Sequence, residues 1–180
     1  MEIVIQEQPS SWASQYDIST PFDDYYAEKK LLAIPAKLVL FSQDRTILAK
    51  LNSRFSLRTK YDFLFSDGKT YRFWCEKMWK GVFACEGGEE KYRLYRHKGL
   101  NYSIFQDDRQ IAALTTNRVI VGKGKQYSIR ASNGTNVPVI ICMVLAMNTA
   151  EDDDDNSTVT FDFGNFGPEE RPFDQSWEPS

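Results

Sequence analysis

The sequence predicts a mostly β protein: a closed antiparallel barrel of about twelve strands wrapped around one short, buried, apolar helix over residues 137 to 150. Two observations carry this. From Lys37 to Arg130, short apolar or aromatic runs are interrupted every several residues by turn chemistry, the pattern of successive hairpins. The run from Val137 to Met147 then reads Val-Pro-Val-Ile-Ile-Cys-Met-Val-Leu-Ala-Met, with no polar side chain before Asn148. The 180 residues include 12 Phe, 9 Tyr and 4 Trp, enough large side chains to fill one core.

Residues 7 to 24 mix Pro, Ser, Gln and Asp around Trp12 and Tyr16 and read as an irregular lead-in after a short strand at Ile3 to Ile5. In the hairpin region, alternation places Tyr61, Phe63 and Phe65 on one face, as it does Tyr71, Phe73 and Cys75. The same rule pairs Tyr92 with Leu94, Tyr102 with Ile104, Val119 with Val121 and Tyr127 with Ile129 as inward positions. Ser66-Asp67-Gly68 and Ser132-Asn133-Gly134 offer glycines that tolerate positive φ, so both are expected to close hairpins. Three turns share a form: Phe41-Ser42-Gln43-Asp44, Phe65-Ser66-Asp67-Gly68 and Phe105-Gln106-Asp107-Asp108. Their unequal spacing disfavours a fixed-period repeat and favours a meander that curls toward closure.

The apolar run is longer than the usual strand, Asn136 can cap it, and Pro138 suits a first helical turn, so it is assigned as a helix. Apolar on every side, such a helix has to be enclosed by protein or lipid. At 1.5 Å per residue it extends only about 21 Å, short for a bilayer, and Glu151 with Asp152 to Asp155 follows at once. Enclosure by the barrel is the better solution, with no transmembrane span expected. Residues 25 to 150 are therefore the barrel with its helix. Residues 151 to 180 are an acidic C-terminal portion that retains Phe161, Phe163, Phe166, Phe173 and Trp177, read as a tail, a docking motif, or a last strand near Val159 to Phe163 followed by a tail.

This succession of amphipathic strands before one wholly apolar helix resembles the tubby C-terminal-like superfamily, closest to its LURP-one-related and phospholipid scramblase-like members. The likeness spans about residues 25 to 150. It is carried by Phe55-Ser56-Leu57-Arg58-Thr59-Lys60-Tyr61-Asp62, Phe65-Ser66-Asp67-Gly68 and the helix from Pro138 to Ala150. The resemblance implies a barrel of about twelve strands around a central hydrophobic helix, in agreement with the pattern of the residues themselves. Tubby proteins look like phosphoinositide-binding modules with a basic lysine and arginine site. No motif of that site is placed on this sequence, and the short helix with its acidic exit argues against scramblase-like lipid transport.

A formal net charge of −3 gives no global attraction to nucleic acid or to anionic membranes, so anion binding would need a local basic patch, and no nucleic-acid partner is expected. Cys75, Cys85 and Cys142 lack metal-site or redox spacing, and Met-Glu-Ile-Val at the start does not resemble a secretion signal; together they favour a reducing, cytoplasmic location, with peripheral membrane contact. The sequons at Asn101, Asn133 and Asn156 are discounted for the same reason.

Three basic groupings stand out. Lys91 to Lys98 contains Arg93, Arg96 and Lys98, with Lys91, Arg93 and His97 expected on one strand face; Arg54, Arg58 and Lys60 share even spacing; Lys123 and Lys125 flank a glycine. Each reads first as a solvated strand or hairpin end, and second as an anion or headgroup site. His97 is the only histidine and has no acidic residue beside it in sequence, which excludes two-imidazole metal sites and leaves little for acid–base catalysis. Asp152 to Asp155 lacks the alternating ligands and glycine of a calcium loop, and no phosphate-loop or nucleophile-elbow motif occurs. The expected function is a non-enzymatic binding or scaffold module without cofactor, recognising an anionic phospholipid headgroup or a protein partner. The alternative is partner capture by the acidic, aromatic C-terminal tail. An enzyme would need a polar cavity that a helix-filled barrel leaves little room for.

Overall fold

A computed structural model of the chain describes residues 1–9, 13–30, 37–54, 60–117, 124–155 and 169–180. The strands are β1 Glu2–Pro9, β2 Ala13–Ser19, β3 Asp24–Lys30, β4 Lys37–Ser42, β5 Ile47–Ser53, β6 Lys60–Phe65, β7 Thr70–Lys77, β8 Val82–Gly87, β9 Glu90–Arg96, β10 Asn101–Gln106, β11 Arg109–Asn117 and β12 Gln126–Ala131, and the helix α1, Val137–Asp155, follows them. Each strand pairs antiparallel with its sequence neighbours. β12 returns to β1, with Ile3 opposite Ile129 and Ile5 opposite Tyr127, closing a barrel of twelve strands. Closure satisfies the hydrogen-bonding edges that an open sheet would expose.

The core is the barrel interior, filled by α1. Every residue from Val139 to Met147 is fully buried. Around them the alternation of each strand turns one side chain in two toward the helix: Tyr61, Phe63, Tyr71, Phe73, Cys75, Tyr92, Leu94, Tyr102, Ile104, Tyr127 and Ile129 are all buried, as the sequence pattern expects. Phe63, Phe73 and Phe83 stack in succession across three strands, with ring centroids 5.7 and 5.5 Å apart. The three cysteines are buried and stand as thiols, outside any disulfide. Val119 and Val121 lie outside the described residues. No helix among the described residues is long and apolar enough to cross a membrane.

Three local expectations are corrected. The stretch read as an irregular lead-in contains the last three residues of β1 and all of β2. Gln15, Asp17 and Ser19 are the outward half of an alternation whose inward half is Ser14, Tyr16 and Ile18, so polarity on one face was mistaken for absence of a strand. Ser132-Asn133-Gly134 does turn the chain, with Gly134 at φ 74°, but it joins β12 to α1 and closes no hairpin. Asn136 starts the helix through its carbonyl, which accepts the Ile140 amide at 3.1 Å, while its side-chain amide faces the Tyr71 hydroxyl at 3.5 Å.

Because neighbouring strands alternate in direction, the connections fall into two sets. Five hairpins, from β2–β3 to β10–β11, and the turn into α1 surround the proximal mouth, where the helix begins. The ends of the β1–β2, β3–β4, β5–β6, β7–β8, β9–β10 and β11–β12 pairs surround the distal mouth, toward which α1 runs.

Candidate functional site

The two mouths differ in the charges their strand ends carry. At the proximal turns stand Asp23, Asp44, Asp67, Glu89, Asp107 and Asp108. The cations there are engaged locally: Arg45 lies 3.9 Å from the centre of the Tyr26 ring, Lys69 pairs with Asp67, and Arg109 donates to Ser180 Oγ at 2.6 Å. Beside Pro138, at the start of α1, Asp23, Asp24, Tyr25, Ser42, Gln43 and Asp44 line an open cavity of about 530 Å³. At the distal mouth the strand ends bring Lys30, Lys37, Arg54, Lys60, Lys77, Lys80, Arg96, Lys98 and Lys125 to one rim, with Glu7, Glu28, Asp62 and Glu76 among them, and α1, which continues beyond the expected residue 150 to Asp155, brings Glu151 and Asp152 to Asp155 to the same mouth.

The residues singled out in sequence are therefore brought partly together. Arg54, Lys60, Arg96, Lys98 and Lys125, from three separate hairpins, all stand at the distal mouth. Arg93 does not: it lies partway along the outer wall and pairs with Glu76, Nε to Oε2 at 3.0 Å. Arg58 and Lys123 lie outside the described residues. Lys60 and Lys98 are exposed. Arg54 is paired with Asp62. The Arg96 stem rests on Gly81, where an added Cβ would come within 2.6 Å of Arg96 Cβ, so a glycine there lets the β7–β8 turn close onto β9.

Inside the same mouth the apolar filling gives way to a polar cluster at the end of α1. The fully buried Asn148 accepts from the Tyr127 hydroxyl and, at 3.0 Å, from Lys125 Nζ, and its amide donates to the Tyr16 hydroxyl at 3.2 Å. Tyr16 in turn donates to Glu7 at 3.5 Å, and Glu7 is bound to Lys125 through the Lys125 amide at 3.3 Å. Lys125 is thus directed inward to hold the helix end.

Sequence reasoning missed the partner of this rim. Residues 169 to 180 run along the outside of the barrel from the distal to the proximal mouth. Glu169 accepts the Lys98 amide at 2.8 Å, and Glu170 is held by both Lys77 and Lys80. The Arg171 guanidinium stands 4.1 Å over the Phe105 ring, and Phe173 packs on His97 with centroids 5.0 Å apart. At the other end, Ser180 bonds Ser132 and the Asn133 amide. Val82, Ala84, Ser103, Phe105 and Ala113 depart from alternation, being buried although they point away from the interior, and the strap accounts for Phe105, under Arg171, and for Ser103, which meets the His97 beneath Phe173. The signal in the sequence was the acidic, aromatic composition of Glu169 to Trp177, which marked a docking motif without its dock. The last strand expected near Val159 to Phe163 lies outside the described residues.

His97, read as part of a solvated face, is buried beneath the strap. Its Nε2 is 2.7 Å from Ser103 Oγ, and its Nδ1 is 3.7 Å from a Glu169 carboxylate oxygen, supplying the acidic neighbour that the local sequence lacks. Burial pushes the imidazole below its ordinary 6.5, against the opposing pull of the Glu169 charge. A base whose pKa is lowered in the docked state takes up a proton more readily when released. The strap's contribution is then complete above that ordinary value and is lost as pH falls below it. Chymotryptic cleavage after Phe173, measured against a free peptide of the same sequence, is expected to rise several-fold between pH of about 7.5 and 5.5, bounded by about tenfold per pH unit. In His97→Gln the rise should flatten.

At the proximal mouth, Tyr71 and Tyr92 both donate to Glu90 Oε2 at 2.7 Å. Burial and this carboxylate raise both phenols, while the two hydrogen bonds outweigh burial at Glu90 and keep it ionised. This is a structural clasp between β7 and β9 beside the start of α1. Among the described residues no group of His, Cys, Asp and Glu is arranged to hold a metal ion. Comparison with family models, with curated proteins and with solved structures finds no match for this chain.

Proposed function

We propose that this chain is a non-enzymatic binding module of tubby-like type, whose distal mouth recognises anionic phospholipid headgroups at a membrane surface. The observation that carries the reading is the convergence of Arg54, Lys60, Arg96 and Lys98, from two separate hairpins, on one rim of a barrel whose other rim is acidic. The chain carries a net charge of −3, and Glu151 to Asp155 end α1 at the same mouth, so recognition rests on these individual basic side chains of the rim and not on a positive field of the whole face. The filled interior supports the same reading. With α1 occupying the bore, a ligand is met at a mouth or on the wall. Peripheral contact from the cytoplasmic side follows from this proposal.

The test is sedimentation with phosphatidylcholine vesicles, with and without phosphorylated phosphatidylinositol, across a salt series. Wild type is expected to sediment with the anionic vesicles at low salt and to be released as salt rises. A Lys60→Glu/Lys98→Glu double variant should bind at least about tenfold more weakly, each basic residue near such a surface being worth about 1 kcal/mol. Absence of sedimentation with anionic vesicles at any salt overturns the proposal. Attention would then move to a protein partner, and one captured through residues 169 to 180 has to displace the contacts those residues make with the barrel.

A further inference from the structure

The strap places two adjacent carboxylates on the rim where cations gather. Glu170 receives both Lys77 and Lys80, from the two ends of the same short turn, with Lys80 Nζ at 2.5 Å. Glu169 takes the Lys98 amide, and the Lys98 side chain stands exposed beside it. A single carboxylate between two ammonium groups leaves one positive charge in excess, so the pair of lysines is better matched by a dianion than by the group that now fills it. The neighbouring backbone N–H adds a directed donor of the kind that receives phosphate oxygens.

We propose that Lys77, Lys80 and the Lys98 amide form a phosphomonoester site on the distal rim, and that Glu169 and Glu170 fill it as an internal ligand which such an anion displaces. The proposal rests on the reading of the distal mouth as an anion-binding face and adds its central residues and its regulation.

Three features fit an occupant that can be exchanged. The contact is exposed, and exposed ion pairs contribute little each because water and salt screen them. The occupant is tethered, which gives it an effective concentration in the millimolar range and sets a threshold that a weak or singly charged anion does not cross. The rest of the strap is anchored elsewhere, through Phe105, His97 and Ser132, so the acidic pair can leave the lysines without detaching the whole segment. Hydrogen bonds from the two lysines hold the Glu170 carboxyl down to about 2, so the competitor stays charged throughout the neutral range.

The full chain is tested as wild type, Glu169→Gln/Glu170→Gln and Lys77→Gln/Lys80→Gln, each first shown by circular dichroism and thermal melting to fold like wild type. Calorimetric titration with a soluble inositol trisphosphate, and sedimentation with vesicles containing a phosphorylated phosphatidylinositol, supply the two sources of the same chemistry. The glutamine pair in place of the glutamates is expected to bind roughly five- to tenfold more tightly than wild type. The variant lacking both lysines should lose most of the binding. Tightening in both arms assigns the site to the headgroup phosphate, and tightening with vesicles alone assigns it to the phosphate at a membrane surface. If wild type binds but neither variant differs from it, the internal ligand is overturned while the anion-binding mouth stands. If no form binds either probe, the mouth reading falls and this proposal with it.

Discussion

Replacing Leu145 by alanine is expected to lower the unfolding free energy by about 2–5 kcal/mol, visible in urea denaturation and as a Tm lowered by roughly 5–15 °C. Leu145 lies near the middle of the fully buried stretch of α1, with barrel side chains around it. The size of the loss depends on how well the surroundings can collapse into the space left behind. A closed barrel collapses poorly. Its circumference is set by hydrogen bonds between twelve strands, and shrinking it would mean changing strand number or stagger. The upper half of the range is therefore expected. Against a total stability of about 5–15 kcal/mol, such a loss puts the folded state itself at risk near body temperature. A change below about 1 kcal/mol would mean that the helix is loosely held and that the core has been placed wrongly.

The second large effect is expected at Asn148→Leu, which keeps the branching of the side chain, deletes its polarity and adds the bulk of two methyl groups at a fully buried position. Asn148 gives Tyr127 and Lys125 an acceptor and gives Tyr16 a donor, all inside the distal mouth. Removing the amide takes one partner from each, and buried polar groups that lose a partner pay their desolvation cost in full; a loss of about 2–4 kcal/mol follows. Asn148→Asp should be milder at neutral pH, because it keeps the acceptor for Tyr127 and strengthens the attraction to Lys125 while losing the donor to Tyr16. Equal losses for both variants would show that packing, and not the hydrogen bonds, fixes the end of the helix.

The fold was legible wherever the two sides of an element differ. Tyr71, Phe73 and Cys75 alternate with polar neighbours because one face of β7 meets α1 and the other meets water, and the period of two records that contrast. The helix was legible for the opposite reason: it has no polar side at all, and only enclosure can explain that. Legibility failed where a residue's environment is supplied from far along the chain. Ser103 and Ala113 point outward and are nonetheless buried, Ser103 against the His97 that lies beneath the strap. His97 acquires its acidic neighbour from Glu169, and the Lys98 amide that flanks it meets that carboxylate across 71 positions of sequence. Lys77 and Lys80 stand at the two ends of one short turn, and nothing local in the sequence announces the carboxylate that joins them. Of the candidate basic residues, those at strand ends gathered at one mouth because hairpins alternate in direction. Arg93, in mid-strand, could not join them.

The order of the elements along the chain bears on how the molecule comes into being. The twelve strands are synthesised before the helix that fills them, and the seam that closes the sheet joins the first strand to the last. Until α1 has left the ribosome, the strands have no common interior to bury against, and their aromatic faces wait unburied. Assembly is therefore governed by contacts remote in sequence, the class that forms slowly and spends longest open to aggregation. A chain cut short between Ala131 and Val137 would carry the whole sheet and none of the helix that keeps it dry.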